Sequence, residues 1–269
     1  MPELPEVETV LRTLELRIKN ETINDIEVLW DNIIINDINE FRNRLIGQHF
    51  RKFIRRGKYL LFELDDCVLV SHLRMEGKYY LKDFNDEITK HEHVIFTLDH
   101  ISLRYHDTRK FGKMEIIEKQ NDYLQFKLLG VEPFSEEFNS DYVKKYLEKS
   151  NKPIKQTLLD QSFIAGIGNI YADEILFAIK VDPKTKSMNL TKQNIDDLIF
   201  YTNKIIRGAI NAGGTTIRSY TSSLGVNGLF QLELKVHTKV NQPCPVCGHL
   251  IKKIQVAKRG TYYCENCQK

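Results

Sequence analysis

Pro2, Glu3 and Glu6 fall within the first six residues of a chain that opens MPELPEVETV. If Met1 is removed, Pro2 becomes a terminal secondary amine, and an α-amino group titrates near pH ~8, far below a lysine. Such an amine can attack an electrophilic carbon while nearby carboxylates move protons. The same residues also make a helix start. Pro5 suits a first turn, and Glu3, Glu6 and Glu8 complement the helix dipole. On these ten residues alone both readings stand, and Glu8 is expected to face solvent.

The tail holds a second chemistry. Cys244-Pro-Val-Cys247 and Cys264-Glu-Asn-Cys267 are spaced C-x2-C-x16-C-x2-C. Two such knuckles joined by a short β-hairpin can bring four thiolates into the closed tetrahedral set that zinc takes in structural sites. Lys252, Lys253, Lys258 and Arg259 lie between them. From Lys235 onward there are seven lysines or arginines against one acid, Glu265, a local charge of +6 in a chain of net +3. This asymmetry favours a polyanionic partner, although a solvated hairpin would look similar. Cys67, in an apolar strand-like run, reads as a small core residue. A third signal is Gly166-Ile-Gly168-Asn169, where two glycines precede a helical segment with Asn169 at its N-cap. A phosphate cradle and a tight helix–turn–helix corner explain it equally well.

Elements that position these groups follow from periodicity. Val7, Val10, Leu11, Leu14 and Ile18 recur at helical spacing, which predicts an amphipathic helix over residues 5–19. Residues 23–130 turn to short β-type runs: FRKFIRRGKYLLFEL, CVLVSHL, KYYLKDF, HVIFTL, ISLRYHD and KMEIIEK. An antiparallel β-sandwich with the first helix laid against it is the expected packing. Beyond a linker at 131–138, helices are expected over SDYVKKYLEK, PIKQTLLDQ, NIYADEILFAIK and 191–212. The Gly/Ser/Thr-rich stretch 213–228 is expected to be a mobile loop. The fold class is therefore two-domain α+β. Its expected divisions are a β-sandwich (1–130), a linker (131–138), a helical domain (139–229) and a cysteine-knuckle finger (230–269).

A 42% hydrophobic and 28% charged composition supports a cored globular chain. No apolar run reaches the ~18 residues that would span a bilayer, and the start lacks a signal-peptide layout. The expected compartment is the cytoplasm, where clustered cysteines bind metal more often than they form disulfides.

Taken together, the motifs MPELPEVE, RGKYL around Lys58, SHLRMEG (71–77), DTRKFG (107–112), AGIGNIYADEILF, GGTT (213–216) and the four-cysteine finger resemble the bacterial formamidopyrimidine-DNA glycosylase family. The resemblance runs the length of the chain. It implies a helix–two-turn–helix domain, a single structural Zn2+ on Cys244, Cys247, Cys264 and Cys267, and duplex DNA carrying oxidised or abasic sites as partner. It further implies a monomer working on the nucleoid of a bacterial cytoplasm. The implied reaction is base-excision repair: removal of 8-oxoguanine and formamidopyrimidines through a Schiff base, then β,δ-elimination. By the same resemblance Pro2 is the nucleophile, Glu3 the proton donor and acceptor, and Glu6 a positioning carboxylate. Lys58 becomes the proton donor for β-elimination. Arg259 is implied as proton donor for δ-elimination and as a phosphate contact. His72, Met75, His91, Arg109, Phe111, Lys155 and Asn169 are implied DNA contacts, with Met75, Arg109 and Phe111 filling the gap left by an everted nucleotide. Thr215, Ser219, Tyr220 and Thr221 would cap the lesion.

Two stretches depart from the family pattern. Ser223-Leu224-Gly225 before Gly228-Leu229-Phe230 replaces the common Asp-Gly before Gly-Tyr-Phe, and His237-Thr238-Lys239 replaces Tyr-Gly-Arg. Three rival functions remain at this point. An endonuclease VIII-like enzyme for oxidised pyrimidines is opposed by Leu4 and by Arg109-Lys110-Phe111. A non-catalytic DNA-damage-binding protein is opposed by intact Pro2, Glu3 and Lys58. A zinc ribbon for protein partners leaves the first 130 residues unexplained.

Overall fold

The apolar stripe Val7, Val10, Leu11, Leu14, Ile18 is buried along one face of helix α1 (Leu4–Ile18), as its spacing predicts. The computed structural model describes residues 1–118, 124–215 and 228–269. After α1 come β1 (Asp25–Val28), α2 (Ile38–Leu45), β2 (Lys52–Arg56), β3 (Tyr59–Glu63), β4 (Val68–His72), β5 (Lys78–Lys82), β6 (Glu92–Thr97), β7 (Ser102–His106) and β8 (Lys113–Ile117). Two four-stranded antiparallel sheets result, ordered β1-β6-β7-β5 and β2-β3-β4-β8. Leu60, Phe62 and Leu69 from one sheet and Val94, Phe96 and Leu103 from the other share a single core with the α1 stripe. Each fully buried aliphatic or aromatic side chain there contributes about 1.5–3 kcal/mol relative to exposure.

The six predicted strand regions form β2 to β8, and the Asp65-Asp66 and Asp99-His100 turns fall between β3 and β4 and between β6 and β7. Strand β1 and helix α2 are additional to the sequence reading. Strand β1 pairs with β6 over Asp25↔Thr97 to Val28↔Val94. Helix α2 starts at Asp37, whose carboxylate accepts the N–H groups of Asn39 and Glu40. That N-cap was legible as Asp-x-x-Glu, but the short helix is amphipathic over only two turns.

The later elements are α3 (Leu124–Lys127), α4 (Ser140–Leu147), α5 (Ile154–Leu158), α6 (Asn169–Ala178), α7 (Lys192–Asn211), β9 (Lys252–Val256) and β10 (Arg259–Tyr263). The four predicted helices are α4 to α7, and β9 with β10 form the finger hairpin. The chain divides into two compact units: Met1–Phe126 with Ala212–Leu229, and Lys127–Asn211 with Phe230–Lys269. Residues 212–215 and 228–229 thus go with the β-sandwich, where the sequence boundaries had grouped them with the helices. The expected linker is also packed. Val131 bridges Ile164, the Phe134 N–H donates to Asn203 Oδ1 at 3.0 Å, and Phe138 is 4% exposed. The expected loop mobility at 213–228 falls mostly outside the described residues. Among those described, no helix is long and apolar enough to cross a membrane.

Tyr105, fully buried on β7, sets a constraint on both flanking loops. A Cβ at Gly77 would overlap its phenol oxygen and lie 2.7 Å from the Leu73 carbonyl, and a Cβ at Gly112 would overlap the same oxygen and lie 2.6 Å from its ring carbon. The loops carrying Met75 and Phe111 are therefore shaped by one ring. Gly112→Ala is expected to lower unfolding stability by about 1–3 kcal/mol through overpacking. Urea denaturation would show this as a lower midpoint at unchanged slope.

Candidate active site

The start of α1 gathers buried polar groups that normally avoid burial. Pro2 is buried, and Glu3 and Glu6 are 2% and 3% exposed. Glu6 Oε2 accepts the Glu3 N–H at 2.9 Å, while its Oε1 accepts the Thr215 N–H at 2.8 Å and the Thr215 hydroxyl at 3.0 Å. Gly214, at φ +78°, passes so near that a Cβ would sit 3.0 Å from Glu6 Oε1. A side chain there would need both a left-handed backbone and space the carboxylate occupies. Glu6 thus clamps the chain start to the segment after α7. Among the described residues of the expected lesion loop, Thr215 is placed by this clamp; Ser219, Tyr220 and Thr221, with the departure at 223–225, lie outside the described residues.

The amine in this structure belongs to Met1 and stands in for a Pro2 amine one residue further in. Burial holds it below the ordinary α-amino range; Glu3 and Glu6 oppose that fall and Lys58 reinforces it. A neutral, nucleophilic amine is what this environment favours. Lys58 is 7% exposed and sits on the two-residue turn between β2 and β3, bounded by the pair Arg56↔Tyr59. Gly57, at φ +57°, supplies the first central residue of this turn, the position where such hairpins favour glycine. Glu8 does not face solvent. Its carboxylate accepts Arg12 Nε at 2.7 Å and Arg55 Nε at 2.9 Å.

Asp107, fully buried, shapes the next group. Its carboxylate accepts the N–H groups of Arg109, Phe111 and Gly112, each at 2.9 Å. This holds Arg109 and Phe111 outward, with Phe111 49% exposed and the Arg109 guanidinium 4.8 Å from its ring centroid. Met75 is half-buried on the neighbouring loop, which is joined to this one by a hydrogen bond from the Thr108 hydroxyl to Glu76. His72 Nδ1 accepts the Arg74 N–H at 2.9 Å, and burial, with Arg74 and Lys58 adding, pushes its pKa down to about 3. It is therefore a neutral imidazole with its proton on Nε2, a hydrogen-bond donor. His91 is half-buried, its ring edge-on to His106 at 5.6 Å.

In the second unit, Asn169 is the first residue of α6 and Gly168 the N-cap, one position earlier than the sequence reading placed it. Asn169 Nδ2 instead donates to the Gly260 carbonyl at 2.9 Å. Lys155 Nζ reaches the same carbonyl at 3.1 Å and Asp173 Oδ1 at 2.6 Å, with no part of Lys155 exposed. Its ammonium therefore fixes the hairpin from beneath. Arg259, next to Gly260, is exposed and follows Ala257 and Lys258, which turn the hairpin at φ +48° and +61°. Two carboxylates that the sequence reading did not single out complete the frame. Asp173 also takes His237 Nδ1 at 2.7 Å, and Glu174 accepts the N–H groups of Lys235, Val236 and His237 at 2.9, 3.0 and 2.8 Å. His237 thus replaces the family's tyrosine with an inward-bonded ring.

The four tail sulfurs all lie within 4.8 Å of one another, with Cys244–Cys267 at 3.8 Å and Cys247–Cys264 at 3.5 Å. Zn–S bonds of ~2.3 Å around a tetrahedron give S–S edges of about 3.8 Å, so distance and donor chemistry both fit structural zinc. Burial pushes the Cys264 and Cys267 thiols up, so a cation is needed to keep all four donors ionised. The closing backbone seats the finger on α6: Gln268 Nε2 donates to the Val181 carbonyl, and the Lys269 N–H to that of Lys180.

Comparison with known proteins gives three matches along the chain: the formamidopyrimidine-DNA glycosylase N-terminal domain over 1–114, the H2TH domain of the same enzymes over 129–221, and the zinc finger found in FPG and IleRS over 241–269. The formamidopyrimidine-DNA glycosylase of Bacillus subtilis (strain 168) is 47% identical over 273 residues, covering 100% of this chain and 99% of that one. That of Listeria monocytogenes is 43% identical, with both chains fully covered. Among solved structures, a Lactococcus lactis FPG mutant bound to Fapy-dG-containing DNA superposes with TM-score 0.96 at 41% identity, covering both chains completely. The wild-type protein of that species with oxidised-pyrimidine-containing DNA gives 0.94 at 40%, again with full coverage of both.

Stripping zinc from the native protein should expose four thiols to a thiol reagent. The fifth, Cys67, is pushed up to about 12 by burial and should react only on unfolding. Cys264→Ser should lose the metal and weaken DNA binding while residues 1–118 keep their own unfolding transition; a single transition lost as a whole would contradict independent units.

Proposed function

Since the chain belongs to the formamidopyrimidine-DNA glycosylase family, we propose that it is a bifunctional base-excision-repair enzyme for oxidised purines whose nucleophile is the amine of Pro2. The observation that carries this reading is the chain start itself: two nearly unexposed carboxylates, a buried proline and an amine held below its usual range, with Lys58 adding to the fall.

The duplex hides a damaged base, so the nucleotide must first be turned out at a cost of a few kcal/mol. Met75 and Phe111 enter the gap and replace lost stacking, while Arg109 hydrogen-bonds the unpaired base. Asn169, Arg259, His72 and His91 hold phosphates, and Lys155 fixes the hairpin that presents Arg259. The Pro2 nitrogen then attacks C1′ as the glycosidic bond breaks, and the base leaves with a proton. The sugar ring opens as Glu3 delivers a proton to O4′, leaving an iminium between Pro2 and C1′. Glu3, now a carboxylate, takes a C2′ proton as the 3′ phosphate leaves, protonated by Lys58; loss of the C4′ proton to water then expels the 5′ phosphate, which Arg259 protonates. Water hydrolyses the iminium and frees the amine. Glu6 moves no proton in this scheme; its acceptors are engaged by Glu3 and Thr215, and it positions them. Zinc braces the finger and takes no part in bond making. We place the enzyme in the bacterial cytoplasm, on the nucleoid, acting as a monomer.

The Lactococcus lactis complex with oxidised-pyrimidine-containing DNA favours a second, minor substrate class. Borohydride added to protein and a duplex with 8-oxoguanine opposite cytosine should give a covalent adduct through residue 2. Protein retaining Met1 should give none. Trapping should gain rate with pH through a midpoint below the ordinary α-amino value of ~8, because the deprotonated amine reacts. An adduct at another residue, or equal trapping with Met1 in place, would overturn the assignment. A parallel duplex with thymine glycol measures the pyrimidine activity.

A further inference from the structure

Glu8 and Arg55 have no part in the scheme above, yet they connect its two ends within the β-sandwich unit. Glu8 lies on α1, five residues after Glu3. Arg55 lies on β2, three residues before Lys58. Their pairing is partly withdrawn from solvent, the side chains being 18% and 11% exposed with Arg55 Nε 2.9 Å from Glu8 Oε2. The same guanidinium uses Nη1 to donate to the Gly57 carbonyl at 3.1 Å. Gly57 is the left-handed residue that turns the chain into Lys58. One planar guanidinium therefore bonds the nucleophile's helix and the lysine's turn together, using two of its fixed N–H directions.

The β2–β3 ladder fixes the strands up to Arg56↔Tyr59, but the two turn residues lie beyond its last pair. Arg55 shares a strand face with Phe53, which packs on the core shared with α1. Its place at the edge of that core explains why the pair is half-buried. Arg12, the other partner of Glu8, is 60% exposed and reaches no second element in this bond.

We propose that Glu8 and Arg55 form a positioning pair that sets the Lys58 ammonium against the amine at residue 2. The inference rests on the catalytic roles given to Pro2 and Lys58 under the proposed function. Removing the pair leaves the phosphate contacts in place, so it slows proton transfer from Lys58 without weakening DNA binding.

The test uses full-length, zinc-loaded protein. Single-turnover strand cleavage is measured on a duplex with a preformed abasic site, base release on an 8-oxoguanine duplex, and affinity on an uncleavable tetrahydrofuran duplex. Glu8→Gln keeps the shape and removes the charge. Arg55→Lys keeps the charge but cannot hold both partners. Each is expected to slow abasic-site cleavage by about tenfold or more, as small misplacements do, with tetrahydrofuran-duplex affinity within about twofold of wild type. The double variant should be no slower than the slower single, because both break one linkage. Arg12→Ala should behave as wild type. Unchanged cleavage in both singles, additive losses in the double, or a parallel fall in affinity would overturn the proposal. If Glu8→Gln does not fold by circular dichroism, Arg55→Lys decides alone on abasic-site cleavage and tetrahydrofuran-duplex affinity. Wild type that cannot be trapped, or a Lys58→Ala protein that cleaves at the wild-type rate, would instead remove the catalytic reading beneath it.

Discussion

Everything at the chain start depends on one carboxylate finding enough donors. Burying an ionised glutamate costs several kcal/mol unless its lone pairs are engaged. Glu6 meets that requirement with N–H and O–H groups from Glu3, three residues away, and from Thr215, 209 residues away. The interaction also decides which residues are brought together. It fixes the extended residue ahead of α1, draws the Gly213-Gly214 segment over the helix start, and leaves the terminal amine among buried groups where its proton is held less tightly.

The same device recurs across the molecule. Asp107 holds the loop of Arg109 and Phe111, Glu174 holds the turn at 235–237 that leads to the finger, and Asp173 holds Lys155 and His237. Arg104 is its counterpart with the sign reversed. At 2% exposure it donates to Glu92, to Ser102 and to the carbonyls of Asp83, Asp86 and Glu87. In each case a buried charge organises a turn that would otherwise have no regular hydrogen bonding. The exposed residues assigned to DNA stand on turns built this way, so their geometry is set from inside.

Much of this was legible in the sequence. The α1 stripe, the strand runs and the four later helices announce themselves by period, and the two CxxC pairs fix their own geometry. The carboxylates were harder. Glu174 sits in the middle of an apolar helix and bonds to an irregular segment about sixty residues later, a pairing that no local pattern contains. Glu8 was read as solvated because its neighbours in sequence ask nothing of it; its partner is on β2. Lys155 is implied as a DNA contact by the resemblance alone; nothing local in the sequence shows that Asp173 and the Gly260 carbonyl hold its ammonium inward. The N-cap of α6 was placed one residue late, at Asn169 in place of Gly168, and the Asn169 amide serves the finger hairpin and not its own helix end.

The ring of Tyr105 between Gly77 and Gly112 has a consequence for descent as well as for shape. A lineage that enlarged either glycine would need a smaller residue at 105, and a smaller residue at 105 would leave a hole beneath both loops. Positions 77, 105 and 112 are thus bound into one packing unit. Substitution meets open space at the exposed tips of these loops, as at Phe111, and a packed ring at their roots.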